Sequence, residues 1–382
     1  MTSPATDIRE VAADPGAMRA FVELPFSLYR DDPHWVPPYP PLLTARLAAP
    51  SPRERRVLFV AERGEEVIGR VAAMTDAVFD QFHGTRAGWV GFFEAPDSDV
   101  AHLLFEAALG WLATNGAEYA LGPASFTTVE PCGMLVEGFD VPPAIETAYN
   151  PSWYEPLWTS FGWQQYEDLL GYRLDAREPL RIDDRERALA ERLRDRFGVA
   201  LRPLDPDRAA EELSPFFSTR PTSPWGHLPL YWPLSDDELN DFARLLVSGS
   251  IGASAMLACT GDGTPVGCAL WQEDLNELLL ESRHPGSVWP SDLPARLRGV
   301  RTVRAGAGGF LPEFQFVGLG LLAPPLLETI LAGHPNLETI ELSWIAEGNI
   351  SMCKTAARYC GEPVKRWRLF RLDLARPAEA SA

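Results

Sequence analysis

No stretch of the sequence approaches the length of an apolar membrane span, which excludes a transmembrane helix. Cysteine is scarce: Cys132, Cys259, Cys268, Cys353 and Cys360 form no C-x-x-C pair. Their odd number and the missing secretory leader point to reduced thiols in a cytoplasmic protein and away from a zinc site. Cationic residues are outnumbered, 34 Lys plus Arg against 53 Asp plus Glu, and the net charge of −19 repels nucleic acid and anionic membranes. The one basic cluster, Lys365, Arg366, Arg368 and Arg371, reads as a charged strand edge rather than a phosphate site. Nothing resembles a hydrolase triad or a metal cluster, so no metal is called for.

What remains is ample for packed cores: 382 residues, 46% of them hydrophobic, which suggests two domains. After a loose terminus over 1–14, Asp14-Pro15 opens a helix running to about Tyr29. The proline-rich segment 32–52 reads as an extended loop carrying Trp35 and Tyr39. Strands at 57–62 and 67–79 form a hairpin, a third strand follows at 87–94, and a helix at 98–114 repeats Ala101, Leu104, Phe105, Ala108 and Leu112 at helical spacing. A short strand at 119–122, a punctuated passage at 123–143, a helix capped by Asn150 and a strand at 164–174 complete the first half. The aromatic group Trp153, Tyr154, Trp158 and Trp163 reads as its core. The boundary is drawn in the charged stretch 175–184, giving domains 1–177 and 178–382.

The second half repeats this order. Helices at 185–197 and 207–219 flank a strand at 199–204, and Ser235-x-x-Glu238 is a capping box for a third helix. The hairpin 253–272, strand 300–311, helix 318–332, strand 337–345, helix 349–359 and strand 364–374 mirror the first half one by one. Between the strand at 300–311 and the next helix lies Gln315-Phe316-Val317-Gly318-Leu319-Gly320-Leu321. A helix opening there presents unpaired backbone N–H groups and the positive end of its dipole, a place suited to a phosphate.

That order and the Gln315-x-x-Gly318-x-Gly320 turn resemble the Gcn5-related N-acetyltransferase (GNAT) superfamily, duplicated in tandem. Local phrases resemble a bacterial two-module subgroup: Leu28-Tyr29-Arg30-Asp31-Asp32-Pro33-x-Trp35, Val90-Gly91-Phe92-Phe93-Glu94, Tyr149-Asn150-Pro151 and Glu341-Leu342-Ser343-Trp344-Ile345. The resemblance implies an α/β fold of mixed α+β character, two modules each with a mixed, splayed central sheet flanked by helices. It also implies acetyl-CoA or another acyl-CoA as co-substrate, cradled by Leu311, Gln315, Phe316, Val317, Gly318, Leu319, Gly320 and Leu321, with Asn349 lining the thioester slot. The first half carries Glu94 and Asp97 at the corresponding place, where phosphates would approach, so only the second half is expected to bind thioester.

The activity so implied is transfer of an acyl group from a thioester to the amine of a small or amino-acid-like acceptor. Such chemistry needs a base for the amine and a donor for the developing oxyanion. His227 is the candidate base, Ser343 lines the slot, and a strand N–H near 309–311 is the candidate oxyanion donor. In many members of the superfamily the acid is a tyrosine seven residues after the helix-opening asparagine; here that position is Ala356, and Tyr359 is the nearest phenol. Glu273 and Asp274 are paired carboxylates suited to a substrate ammonium, with Trp225 beside the acceptor. Two other readings stay open: an aminoacyl-tRNA-dependent transferase, which the negative charge disfavours, and a non-catalytic ligand-binding protein. A homodimer is compatible with the sequence.

Overall fold

The computed structural model describes residues 5–11, 14–180, 182, 184–220, 223–280, 293–297, 299–317 and 323–374. The chain runs β1 (Thr6–Glu10), α1 (Pro15–Leu28), α2 (Pro40–Ala48), β2 (Glu54–Arg63), β3 (Glu66–Asp76), α3 (Ala77–His83), β4 (Ala87–Glu94) and α4 (Ser98–Thr114). It continues through β5 (Tyr119–Gly122), β6 (Met134–Glu137), α5 (Tyr154–Phe161), β7 (Gln164–Asp175), α6 (Asp184–Phe197), β8 (Ala200–Pro203), α7 (Ala209–Phe217) and α8 (Asp236–Ser248). Then come β9 (Ala253–Cys259), β10 (Pro265–Glu273), α9 (Asn276–Leu279), α10 (Leu293–Leu297), β11 (Thr302–Phe310), a 3₁₀ turn (Pro312–Val317), α11 (Ala323–Gly333), β12 (Thr339–Ala346), α12 (Ile350–Cys360) and β13 (Lys365–Asp373).

The chain divides into two compact units. Unit 1 takes the described residues up to Leu169, those at 279–280 and those from Arg366 onward; unit 2 takes those from Leu170 to Leu278 and from Leu293 to Lys365. The division into these units falls inside β7, between Leu169 and Leu170. The last strand also returns to the first unit: β13 pairs antiparallel with β5, Phe370 opposite Gly122, and its Phe370 ring lies 5.6 Å from that of Trp158 in the unit 1 core. The basic run is accordingly no solvated edge. Arg366 and Arg368 both donate to the carboxylate of buried Asp168, at 2.9 and 2.8 Å, and Arg368 also reaches Glu155 at 2.7 Å.

In unit 1, β1 to β4 form an antiparallel sheet, and β4 pairs parallel with β5 over only Ala87–Trp89 and Tyr119–Leu121. α4 packs its expected stripe, Ala101, Leu104, Phe105, Ala108 and Leu112, against this sheet with no exposed surface. Tyr154, Trp158 and Trp163 join that core, whereas Trp153 is exposed. Three expectations fail here for local reasons. β1 replaces part of the loose terminus, its five residues being too few to show alternation. α2 interrupts the expected 32–52 loop, since Pro40 and Pro41 occupy the first helical turn, where proline costs no hydrogen bond. Asn150 does not cap α5: its carboxamide accepts from the Leu135 N–H at 2.7 Å and donates to the Leu135 carbonyl at 3.1 Å, clamping β6.

In unit 2 the order is β8–β9–β10–β11–β12, followed by the Leu170–Asp175 end of β7. Pairing is antiparallel as far as β11 and parallel between β11 and β12. α7 and α8 cover one face with Leu213, Phe216, Leu239, Ala243 and Leu246; α11 covers the other with Leu327 and Ile330. α8 opens with the expected capping box, the Ser235 and Glu238 side chains each serving the other's backbone N–H. A bulge in β11 between the residues facing Trp271 and Leu270, at Gly306, sets the strand's later residues on new faces.

Candidate functional site

Each unit contains a pair of parallel strands that part after a few residues, and the two forks differ in what fills them. In unit 1 the gap beyond Trp89 is filled by the chain's own loop. The Ala124 N–H donates to the Val90 carbonyl at 2.9 Å, and the Phe92 N–H donates to Ser125 Oγ at 3.2 Å. The loop presses so closely that a Cβ on Gly91 would stand 1.9 Å from the Ala124 carbonyl oxygen. Below it, buried Glu94 accepts from the Tyr154 and Tyr29 hydroxyls at 2.6 and 2.9 Å and faces Arg70 at 3.4 Å. Burial pushes the Glu94 carboxyl above its ordinary value, against the pull of Arg70 and the phenols, and burial likewise raises Tyr29 and Tyr154. The phrases around Tyr29 and Glu94 thus build the interior of unit 1.

The unit 2 fork has no such loop among the described residues. β11 and β12 pair only from Thr302–Thr339 to Ala305–Leu342. At Gly306, the first residue past that pairing, a Cβ would meet nothing nearer than the Arg304 guanidinium at 3.7 Å. The Leu311 N–H donates to the Val266 carbonyl of β10 at 2.9 Å. Alternation along an antiparallel pair therefore turns the Gly309 N–H to β10 as well, and the N–H groups of Gly308 and Phe310 to the opposite side, that of β12. The expected oxyanion donor, a strand N–H near 309–311, is thereby narrowed: the Gly309 and Leu311 N–H groups turn to β10, and the strand amides on the side of the gap are those of Gly308 and Phe310.

At the fork's apex lies a buried polar network. Ser343, the first residue of β12 beyond the pairing, donates through Oγ to Glu341 Oε1 at 2.8 Å. Arg304 Nε donates to the Ser343 carbonyl and to Ser343 Oγ, at 3.1 and 3.2 Å, and Arg173 of β7 donates to Glu341 Oε2 at 2.9 Å. Glu341, Ser343 and Arg304 are 0%, 2% and 8% exposed. The neighbours Val303, Ala305 and Ile340 pack toward α11, so this network occupies the α7/α8 face of the sheet. Past the bulge, Gly309 lies on that same face, where Pro224 Cβ and the Trp225 ring stand 3.0 and 3.3 Å from where its Cβ would be. Gly309 lacks a side chain where the indole needs the room.

Trp225 and Ser343 are thus brought to one face of one fork. His227 follows Trp225 in a turn closed by the Leu228 N–H and the Trp225 carbonyl at 2.8 Å; its ring is exposed and makes no side-chain hydrogen bond among the described residues. Gln315 is exposed on the 3₁₀ turn that replaces the expected direct run from strand to helix, and Phe316 and Val317 continue that turn. Gly318, Leu319, Gly320 and Leu321 lie outside the described residues. Asn349 caps α12, accepting from the Met352 N–H at 3.3 Å, and half-buried Tyr359 packs on the α11 core beside Leu327 and Ile330, on the face opposite the network. Ala356 is fully buried.

Glu273 and Asp274 are at the other end of β11, opposite Val303 and Thr302. Five or six strand residues, roughly 17–20 Å, separate them from Gly308. Asp274 turns its carboxylate onto the Asn276 N–H at 3.0 Å, and Glu273 faces His334 Nε2 at 3.0 Å, while His334 Nδ1 meets the Ile330 carbonyl at 2.7 Å. The Glu273 hydrogen bond raises His334 above its usual 6.5, burial opposing and the Ile330 carbonyl assisting. A pKa raised by folding contributes stability fully below about 6.5, and the contribution is lost as pH rises through the folded-state value. Thermal melts from about pH 6 to about pH 9 are expected to show that loss. The His334→Ala variant is expected to be less stable at acid pH by about 1–3 kcal/mol and to have a flatter profile. An equal pH dependence in both proteins would remove the ion pair from the account.

Sequence reasoning missed Arg173, Arg304 and Glu341. The signal was present in Arg304 and in Glu341-x-Ser343: polar residues at alternate positions of strands whose other residues are apolar.

No family model matches the chain. Among curated proteins, YghO of Escherichia coli (strain K12) is 29% identical over 368 residues, covering 92% of either chain. The bacterial ceramide synthase of Caulobacter vibrioides is 27% identical over 376 residues, covering 93% of this chain and 94% of that one. Among solved structures, a tandem GNAT protein from the clavulanic acid biosynthesis pathway matches with a TM-score of 0.59 at 14% identity, over 98% of this chain and 100% of that one. A Gcn5-related N-acetyltransferase from Sphaerobacter thermophilus matches with a TM-score of 0.54 at 13% identity, over 98% of either chain. The fold is that of the Gcn5-related N-acetyltransferases, mixed α+β with helices on both faces of a splayed sheet. Its arrangement is the tandem one.

Proposed function

We propose that this protein is an acyl-CoA-dependent N-acyltransferase in which the module over 178–382 holds the thioester and the module over 1–177 does not. The observation that carries the reading is the contrast between the forks. In unit 1 the gap is occupied by backbone from Ala124 and Ser125; in unit 2 no backbone among the described residues fills it, and it is edged by the Gly308 and Phe310 amides and floored by buried ionic groups. A thioester carbonyl laid in that gap would meet a strand N–H as charge develops on its oxygen, the largest kind of contribution to acyl transfer. The glycine turn over 315–321 would take the diphosphate of coenzyme A, and Asn349 would line the slot. Among the described residues no group of three or more His, Cys, Asp or Glu is placed to hold a metal ion.

The acceptor is a small molecule bearing an amine, with Trp225 beside it and His227 at the entrance. Similarity to a protein named a ceramide synthase over 93% of the chain extends the acceptor class to long-chain amino alcohols, whose N-acylation gives a ceramide. A cytoplasmic location goes with this reading; among the described residues no helix is long and apolar enough to cross a membrane. The test is incubation of the pure protein with acyl-CoA thioesters of short and long chain and a panel of amines, including amino acids and sphingoid bases, with product detected by mass spectrometry. Amide formation with release of free coenzyme A is expected for at least one pair. Thioester binding without any amide product would instead support a non-catalytic ligand-binding protein, the reading that buried Ala356 at the usual tyrosine position favours.

A further inference from the structure

We propose that Ser343 and Glu341 form the proton path of the transfer reaction, Ser343 Oγ meeting the acceptor amine and Glu341 taking the proton behind it; this rests on the acyltransferase reading above. The geometry is specific. Ser343 stands at the apex where β11 and β12 separate, so it is the first β12 residue to border the gap. Its hydroxyl hydrogen is directed at Glu341 Oε1, 2.8 Å away, and its oxygen accepts from Arg304 Nε at 3.2 Å. That leaves one lone pair on Oγ for a third partner, an incoming N–H. The glutamate is fully enclosed and is not a surface ion that water would satisfy.

Enclosing a carboxylate and an arginine in a sheet interior is costly, and an apolar pair would fill the space at no such cost. The network is therefore poorly explained as a stabilising device. Groups that face Glu341 are few. Arg173 donates from β7 at 2.9 Å, Arg304 acts from β11 through Ser343, and the titratable side chains of α12 are carried on the opposite face of the sheet, with Tyr359. His227, the base expected from sequence, is exposed in its turn and is joined to none of these groups by a hydrogen bond among the described residues.

The step balances as follows. The amine lone pair attacks the thioester carbonyl carbon, forming the C–N bond. As it does so, one N–H proton passes to Ser343 Oγ while the serine proton passes to Glu341 Oε1. The C–S bond then breaks, and the proton on Glu341 returns by the same route to the departing thiolate. Amide and thiol are formed, and Glu341 ends the turnover ionised. Arg304 keeps Ser343 Oγ in the one rotamer that faces both partners, which makes it a positioning residue.

The experiment is kcat and KM in H2O and in D2O for wild type, Glu341→Gln and Ser343→Ala, using the acyl-CoA and amine pair that wild type turns over best. Wild type is expected to turn over more slowly in D2O than in H2O, because the transfer moves protons through Ser343 Oγ. Both variants are expected to lose about 100-fold or more in kcat, with KM for acyl-CoA changed by less than about threefold, and the slowing in D2O is expected to vanish. Ser343→Ala removes the Arg304 contact to Oγ but leaves those of Arg304 to the Ser343 carbonyl and of Arg173 to Glu341 in place, so it remains informative if Glu341→Gln does not fold. Variants that lose activity only in proportion to their folded fraction, or that keep the wild-type slowing in D2O, would overturn the proton path while leaving the acyltransferase reading intact. A wild type that forms no amide with any pair would overturn both.

Discussion

Replacing Gly91 with alanine is expected to cost about 3 kcal/mol of stability while leaving acyl-CoA affinity unchanged. The cause is steric and local. The Ala124 carbonyl oxygen sits where the new methyl carbon would be, at 1.9 Å, and Ser125 Cα is 3.2 Å away. Both are backbone atoms, and the same strand already holds the loop through the Val90 carbonyl and the Phe92 N–H. The loop has no side chain to rotate away, so it must lift off β4 and expose part of the aromatic core behind it. A urea titration reads the loss, and calorimetry at a temperature where the variant is folded reads the affinity. Unchanged stability would mean that the loop does not fill the fork. Lost affinity in a folded variant would mean that unit 1 takes part in thioester binding.

The second large effect is expected at the glycine turn. Gly318→Asp adds a carboxylate and a Cβ where the sequence provides only backbone donors, between Phe316, Val317, Leu319 and Leu321 and with no lysine or arginine to offset the charge. Binding of a diphosphate there depends on those N–H groups alone, so wild-type affinity is expected to be modest and the variant's to fall below detection. Melting is expected to move little.

The capping box, the helix over 98–114 and the two hairpins were legible because each is specified by neighbours in sequence. Ser235 and Glu238 satisfy each other three residues apart, and the α4 stripe needs only its own period. What was not legible depends on partners far along the chain. Nothing within 365–373 says that β13 will pair with β5, more than 240 residues earlier by its register of Phe370 with Gly122. The arginines of that strand looked like edge protection because Asp168, their shared partner, could not be placed beside them. The same holds for the candidate site. Trp225 and Ser343 were marked from sequence and share a face, whereas Glu273 and Asp274 were marked for their charge and are carried to the wrong end of β11. Arg304, which no motif marks, and Glu341, which stands in the phrase Glu341-Leu342-Ser343-Trp344-Ile345 with no role assigned to it, become recognisable only when the parallel register sets them opposite one another at the last pairs before the fork opens.

The fork contrast assigns thioester binding to the second module, and titration calorimetry with acyl-CoA tests that assignment most directly. Wild type and Gly91→Ala are expected to bind one thioester per chain with equal affinity, and Gly318→Asp to bind none. Binding retained by Gly318→Asp, or two thioesters bound per wild-type chain, would contradict the assignment.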